Sequence, residues 1–415
     1  MIQPLLRSQL KTILLAFVAF FIATILLMYP EQAFQSSLRG LTIWWDVVFP
    51  SLLPFFITAE MLMGFGAVHF LSVLLEPLMR PIFRVPGAGA FVMAVGLISG
   101  NPMGAKLTSR LREQGMVTRE EGERLISFTS TAGPLFLFGA VSVGFFEKPS
   151  IGIILAIAHY SSSILVGMAM RFYRQDAPPS PSPPKREGWL LIRALSAMHR
   201  ARIRDGRSLG QLLGQSVTSA IQTLLLIGGF IMMFSVLVQL IHFVGVTLIL
   251  ENIISSMLSF IHFPIELTDS ILAGIFEITL GSQLASATVS SIPIVYALTI
   301  VSILIGWNGF SIHAQVASMI SKTDIRYLPY LLARLFHGVL AGIITIIIYP
   351  LFDNRVTTLS PAMAIYQNQT NQLSQLFLFD ILQWFTYITL LMWMIYQIQA
   401  RHQKRIRSIK TIKIR

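Results

Sequence analysis

The sequence predicts an all-α protein that crosses a membrane through about eight to ten segments, and three observations support this. Of the 415 residues, 54% are hydrophobic and only 12% are charged, about half the charged share of an ordinary soluble domain. The apolar residues gather into runs of roughly 20, the length of helix that crosses the hydrocarbon core of a bilayer. Polar breaks interrupt these runs in the same order in both halves of the chain.

The first half alternates full spans with broken ones. We expect a retained membrane helix over residues 12–29, because this run is long for a signal sequence and no small-residue cleavage site follows it. Residues 69–85 contain Pro77 and Pro81, which favours an interfacial or re-entrant segment. The other predicted features of this half are a span over 43–66, a break at 99–106, a charged amphipathic stretch, a break at 127–134 and a span over 151–172.

A linker separates the two halves. Residues 175–188 are rich in proline and serine and predict an extended, solvated segment. Residues 189–207 carry five arginines among apolar residues. This pattern is typical of a basic helix on the cytoplasmic membrane surface, although a merely solvated connection would also fit it.

The second half predicts spans over residues 217–240 and 243–261, polar breaks within 276–283 and 306–315, and a span over 327–349. A last span over 376–398 is followed by a basic tail, which places the C-terminus in the cytoplasm. The predicted divisions are an N-terminal helix and loop (1–42), a first repeat (43–174), a linker with a basic helix (175–212), a second repeat (213–350), and an external loop with the last helix and basic tail (351–415).

The two halves resemble each other in sequence. A shift of 177 residues places Gly104 on Gly281, and a shift of 176 places Gly133 on Gly309. A weaker match sets SLLPFFITAEML on SAIQTLLLIGGF at a shift of 168. If the N-terminus and the basic linker are both cytoplasmic, the copies are inverted across the membrane. Inverted repeats with broken helices are a recurring transporter design that binds its substrate near the midplane.

The break at residues 99–106 predicts an anion site. Pro102 suits the first turn of a new helix, and a helix N-terminus carries free N–H donors and partial positive charge. Lys106 adds a full charge one turn further on, and Ser99 and Asn101 add neutral hydrogen-bonding groups. Together these groups suit a carboxylate or phosphate. The alternative is a cytoplasmic loop in which Lys106 follows the positive-inside rule.

Glu277 lies in an apolar setting, where an ionisable residue is by default a functional hypothesis. It would carry a coupling proton, hold a cation, or form a structural pair with Lys106 or Arg334. Polar residues at the breaks are further candidates for binding substrate, although such side chains also join membrane helices without touching substrate. These candidates are Ser130, Thr131, Thr279, Ser282, Gln283, Asn308, Ser311 and Gln315.

Several function classes are disfavoured. The chain has no cysteine, which removes disulfides and thiolate chemistry. It has no P-loop, GxSxG or HExxH motif, and its eight histidines are scattered, so we expect no enzyme activity, metal or cofactor. The net charge of +12 arises mainly in the linker and the C-terminal tail, which indicates lipid head groups rather than nucleic acid. A homo-oligomer remains open.

Five segments carry a resemblance to a known family over about residues 45–350: SLLPFFITAEML, LISGNPMGAK, TSTAGPLF, SAIQTLLLIGGF and GWNGFSIHAQ. They resemble the YlbJ (SpoVV) family of sporulation integral membrane proteins, within the nucleoside-recognition or Gate domain group. The resemblance implies an architecture related to concentrative nucleoside transporters. It also implies a role in moving dipicolinic acid across the outer forespore membrane, on which formation of the spore cortex depends.

The leading hypothesis is therefore a membrane transporter of a small anionic solute, with dipicolinate as the substrate implied by the resemblance. Dipicolinate is a planar aromatic dianion, and Lys106, helix N-termini and hydroxyl groups would suit its carboxylates. Two alternatives stay open: a transporter of a nucleoside-like solute, and a non-transporting membrane protein that helps to assemble the spore envelope.

Overall fold

The computed structural model describes residues 2–181, 189–243 and 245–356, and within these ranges all regular structure is helical. The chain divides into a large unit, Met1–Pro350, and a second unit, Leu351–Arg415. Only the end of one helix is described in the second unit. The predicted last span, the loop before it and the basic tail lie outside the described residues.

The first half contains eight α-helices and two π-helical segments. In chain order these are α1 (Ile2–Met28), α2 (Pro30–Ile43), a π-helical turn (Trp44–Val48), α3 (Phe49–Gly64), α4 (Ala67–Phe83), α5 (Ala88–Ser99), α6 (Met103–Glu113), α7 (Arg119–Thr129), a π-helix (Leu135–Phe145) and α8 (Ile151–Met170).

The second half follows the basic helix α9 (Leu190–Asp205). It contains α10 (Leu209–Phe243), α11 (Val246–Phe260), α12 (Thr268–Phe276), α13 (Ile278–Ala287), α14 (Ile294–Trp307), α15 (Gly309–Ile320) and α16 (Tyr327–Val356). Within the described ranges, four helical stretches are long and apolar enough to cross a membrane, or six if each of two bent pairs counts as one span. Shorter apolar helices, α5 among them, complete the bundle.

The order of elements repeats. In both halves a helix, α3 or α10, leads through a left-handed glycine, Gly66 or Gly245, into the next helix, α4 or α11. A helical hairpin follows, α5–α6 or α12–α13, and then a broken helix, which is α7 with its π-helix or α14 with α15. Each half ends in a long helix, α8 or α16. Corresponding points lie between 176 and 179 residues apart, close to the main offset read from the sequence.

The match at a shift of 168 residues was wrong. The ends of α3 and α10, set by the two left-handed glycines, correspond at a shift of 179. The difference of 11 residues is slightly more than three turns at 3.6 residues per turn. A sequence alignment that is wrong by three turns still places apolar residues of one helix on apolar residues of the other. The apolar pattern alone therefore did not reveal the error.

Three further expectations need correction. Pro77 and Pro81 lie inside α4 and do not interrupt it, although the helix bends 79° away from the end of α3. The span predicted over residues 243–261 is the fifteen-residue α11, about 22 Å long and short of a bilayer core of roughly 30 Å. The start of the linker is not fully solvated, because Ser180 is buried and its carbonyl accepts a hydrogen bond from Arg80.

Polar contacts join the two halves at one end of the bundle. The buried carboxylate of Glu123 on α7 accepts hydrogen bonds from the backbone and side chain of Arg326, just before α16. Arg112 at the end of α6 makes a bidentate ion pair with Asp324, at 2.7 and 2.8 Å. Paired contacts of this kind restrict how far α6 and α7 can move relative to the start of α16.

Glycines allow the hairpins to pack closely. A Cβ atom built on Gly281 would lie within 3.0 Å of the backbone of Gly274 across the hairpin. A Cβ atom on Gly104, its counterpart in the first half, would lie within 3.0 Å of the backbone of Thr129 on α7. Both obstacles are backbone, which cannot rotate away as a side chain can, so these contacts require glycine.

We therefore predict that Gly281→Ala lowers the thermal stability of the purified protein, by about 1–3 kcal/mol in unfolding free energy, the usual cost of overpacking. The matched control is Gly229→Ala in α10, where a Cβ atom would meet nothing within 4 Å. Thermal unfolding followed by tryptophan fluorescence measures both variants. Equal melting temperatures for the two would contradict the close packing of this hairpin.

Candidate functional site

The four helix breaks meet in pairs at the centre of the bundle. Gly100, at the tip of the first hairpin, packs against the backbone of Gly133 in the break after α7. In the second half, Gly309 packs against the carbonyl of Phe276, at the tip of the other hairpin. A hydrogen bond of 2.9 Å from the Nδ2 atom of Asn101 to the Oδ1 atom of Asn308 then joins the two halves.

A network of hydrogen bonds surrounds this junction. The carbonyl of Ser130 accepts one bond from Asn308 Nδ2 at 3.1 Å and another from Arg334 Nη1 at 2.8 Å. Asn308 Nδ2 also donates to the hydroxyl of Tyr330, at 3.2 Å. We call these five residues, with Asn101 included, the central site. Three of its members come from breaks, and the other two come from α16.

Arg334 is the charged member of the central site. It is fully buried, and its guanidinium donates to the backbone carbonyls of Ser127 and Ser130. Its Cζ atom lies 5.7 Å from the centre of the Tyr330 ring. No carboxylate among the described residues lies within 4.0 Å of it. A buried cation without a counter-ion is costly, so the central site carries an uncompensated positive charge.

Two histidines adjoin the breaks. His159 on α8 and His337 on α16 occupy corresponding positions in the two halves, and their rings stack at 4.6 Å. The Nε2 atom of His159 accepts a hydrogen bond from the backbone N–H of Ala132 at 2.9 Å, so this ring satisfies a donor freed by the break. Across the described residues, no three histidine, aspartate or glutamate side chains are grouped as they would be around a metal ion.

Several buried polar atoms near the breaks have no hydrogen-bond partner among the described residues. They are Asn101 Oδ1, Ser130 Oγ, Ser282 Oγ, Arg334 Nε and the Nδ1 atoms of His159 and His337. Unsatisfied buried groups are few in native proteins, and each calls for a reason such as a ligand or an ordered water. Here they include both acceptors and donors, which suits a polar solute.

Glu277 lies at the tip of the second hairpin and acts as a helix cap. Its carboxylate accepts hydrogen bonds from Thr279 Oγ1 at 2.9 Å and from the backbone N–H of Leu280 at 2.8 Å. This satisfies the N-terminus of α13. A charge pair with Lys106 or Arg334 was one of the three roles considered for Glu277, and the described residues contain no such pair.

Lys106 is held by α3 and α10. Its ammonium nitrogen lies 2.7 Å from Glu60 Oε1 and 3.2 Å from Ser219 Oγ, above the ring of Phe56. Arg110, one turn later, also pairs with Glu60, at 3.1 Å. Lys106 therefore has a carboxylate as its counter-charge, unlike Arg334. The uncompensated positive charge beside the polar break at Asn101 comes from Arg334 on α16, whereas Lys106 is paired with Glu60.

The remaining predicted residues divide by environment. Ser99 is the buried last residue of α5, and Pro102 is the buried N-cap of α6. Thr131 Oγ1 donates to the carbonyl of Gly96 at 3.3 Å. Ser311 and Gln315 are buried on α15 and bond to each other at 3.5 Å. Gln283 is exposed on α13 and is not brought into the cluster.

Sequence reasoning named Arg334 only as a partner for Glu277, set His159 and His337 aside among eight scattered histidines, and did not name Tyr330. An arginine within an apolar span is itself a signal, because a charge inside the membrane marks function by default. The two histidines also carried a signal, since they correspond at a shift of 178 residues. A comparison of the repeats beyond the breaks would have found them.

We predict that Glu60→Gln destabilises the protein by about 3 kcal/mol, because removing one partner leaves the buried ammonium of Lys106 without its counter-charge. The double variant Glu60→Gln/Lys106→Met should recover much of that loss. Thermal unfolding of the two variants beside the unchanged protein measures the difference. If the double variant melts no higher than the single one, the ion pair does not explain the effect.

Comparison with known proteins gives the following likenesses. The Gate family, described as nucleoside recognition, matches residues 45–170. An uncharacterised protein of Alkalihalophilus pseudofirmus is 28% identical over 107 residues, 25% of this chain and 23% of that protein. A solved structure of a CNTnw variant in the intermediate 2 state gives a TM-score of 0.41 at 14% identity, covering 83% of this chain and 85% of that one. CNTnw in an inward-facing substrate-bound state gives 0.36 at 13% identity, covering 83% and 86%.

A more extensive likeness confirms the resemblance seen in the sequence motifs. The sporulation integral membrane protein YlbJ of Bacillus subtilis (strain 168) is 47% identical over 355 residues. The match covers 83% of this chain and 85% of that protein. This chain is therefore a membrane protein that belongs to the YlbJ family.

Proposed function

We propose that this chain transports a small anionic solute through the central site, and that the solute is dipicolinate. The observation that carries the proposal is the buried, uncompensated guanidinium of Arg334 beside the four helix breaks. An anion bound there would supply the missing negative charge. Its affinity would come from hydrogen bonds to charged groups, which are stronger than those between neutral groups.

The unpartnered atoms suit a solute of this chemistry. A carboxylate accepts hydrogen bonds, and Arg334 Nε and the hydroxyls of Ser130 and Ser282 have donors to offer. Dipicolinate also has an aromatic ring. Trp307 and Phe310, whose ring centres lie 5.4 Å apart, adjoin the break at Asn308 and offer surfaces on which such a ring would stack.

The family supports a role in sporulation, because the relative that matches over 355 residues bears the name of a sporulation integral membrane protein. We place the chain in the outer forespore membrane, where a supply of dipicolinate to the developing spore would be needed. We assign substrate binding to Asn101, Ser130, Ser282 and Asn308. Glu277, as a carboxylate at a hairpin tip, is the candidate for coupling transport to a proton or cation.

A nucleoside-like solute is the second candidate, and the matching Gate model, described as nucleoside recognition, favours it. A nucleoside would use the same amide and hydroxyl groups but has no negative charge to pair with Arg334. The two candidates therefore differ in their dependence on that guanidinium. A purely structural role in spore-envelope assembly predicts transport of neither solute.

We predict saturable uptake of labelled dipicolinate into proteoliposomes that contain this protein alone, with nucleosides failing to compete. Arg334→Gln should lower uptake by tenfold or more, since a hydrogen bond to a charged group contributes about 1.5–3 kcal/mol. Arg334→Lys keeps the charge and should retain more activity than the glutamine variant. Competition by nucleosides would favour the second candidate, and absence of uptake of either solute by folded protein would favour an assembly role.

A second prediction separates binding from packing at Ser130. Its Oγ atom makes no hydrogen bond within the described part of the chain, so Ser130→Ala should leave thermal stability unchanged while raising the KM for dipicolinate by about fivefold or more. Ser36→Ala is the matched control, because Ser36 Oγ on α2 is also buried and unpartnered. Equal transport by both variants would remove Ser130 from the binding site.

A further inference from the structure

A large basic cavity lies between the linker helix α9 and the helices α3, α4 and α6. Its volume is about 1050 Å³. The arginines that line it exceed the acidic residues by three, so its wall is strongly positive. The charged residues of this arginine cavity are Arg110, Arg193, Arg200, Arg204, Arg207, Glu60 and Asp205.

The two acids of the arginine cavity already have partners. Glu60 pairs with Arg110 at 3.1 Å and with Lys106, and Asp205 pairs with Arg207 through a hydrogen bond of 2.8 Å. Arg200 and Arg204 have no carboxylate within 4.0 Å in the described ranges. They lie one turn apart on α9 and therefore point to the same side of the helix. The positive charge of these two guanidinium groups is therefore available to bind an anion.

Helix α9 has three distinct sides. One side packs on the bend between α3 and α4, where the carbonyl of Met198 and the Cβ atom of Ala201 lie against Gly66. A second side carries the arginines into the cavity. A third side exposes large apolar residues over several turns: Leu191 at 53%, Ile192 at 62%, Leu195 at 46% and Ile203 at 65%. Ile192 also lines the cavity, so the apolar side and the arginine side adjoin.

We propose that the arginine cavity binds the phosphate head group of an anionic phospholipid, with the acyl chains along the apolar side of α9. Charge complementarity selects the head group, and arginine pairs with phosphate through two parallel hydrogen bonds. The adjoining apolar surface selects a lipid over a soluble anion, since burying acyl chains against it is favourable. Basic pockets on the cytoplasmic side of membrane helices are known sites for anionic lipids.

The site is separate from the central site. Substrate transport and lipid binding use different charged residues, Arg334 in the first case and Arg200 with Arg204 in the second. The arginine cavity does touch the transport machinery through Glu60, which holds Lys106 on the first hairpin. A bound phosphate would therefore lie on the same wall as the ion pair that connects this hairpin to α3.

The test is native mass spectrometry of the full chain in detergent, titrated with phosphatidylglycerol or phosphatidylcholine of identical acyl chains. We expect phosphatidylglycerol to bind about tenfold more tightly or better. The double variant Arg200→Gln/Arg204→Gln should bind phosphatidylglycerol roughly tenfold to thirtyfold more weakly. Each arginine near an anionic head group raises the affinity about fivefold. Ser196→Glu, which adds a carboxylate one turn before Arg200, should weaken binding without removing either arginine.

Matched controls decide the outcome. Arg39→Gln/Arg171→Gln removes two exposed arginines outside the cavity and should leave lipid binding unchanged; an equal loss there would overturn the proposal in favour of general charge attraction.

Leu191→Ser/Leu195→Ser should weaken lipid binding. If that variant binds lipid normally and free glycerol phosphate displaces the lipid, the cavity is a site for a soluble anion and the lipid proposal is wrong. Equal affinity for both lipids would also overturn it.

Discussion

The structure depends on the need to satisfy backbone polar groups where helices break inside a membrane. Lipid offers no hydrogen bonds, so protein must supply every partner. The guanidinium of Arg334 binds the carbonyls of Ser127 and Ser130, His159 accepts from the N–H of Ala132, and Glu277 accepts from the N–H of Leu280. The breaks at 127–134 and 276–283 are therefore closed by side chains, and part of the polarity of the central site arises from this requirement.

The need to satisfy backbone groups at the breaks also explains which features could be predicted from the sequence. Breaks are visible because polar, glycine-rich residues interrupt apolar runs, and the four predicted breaks coincide with the ends of α5, α7, α12 and α14. The repeat was visible because glycines such as Gly104 and Gly281 are needed where backbones touch. The fold class and the identity of most candidate residues followed from these two signals.

Other features depended on pairings between distant residues. The sequence around Lys106 is typical of an anion-binding site. Its partners, however, are Glu60 and Ser219, which lie on helices that only folding brings near it. Gln283 is polar and close to a break, but the turn of α13 leaves it exposed. The length of α11 was misread because a neighbouring apolar helix extends to Phe243. Composition shows that a residue is polar or apolar, but not which neighbour it will meet.

The stacked rings of His159 and His337 have an evolutionary consequence. One ring comes from each half, at corresponding positions 178 residues apart. A protein with a single half would hold one of these histidines and would complete the pair only by associating with a second copy. Duplication and fusion of such a gene would free the two copies to diverge, which accounts for Arg334 in only one of them.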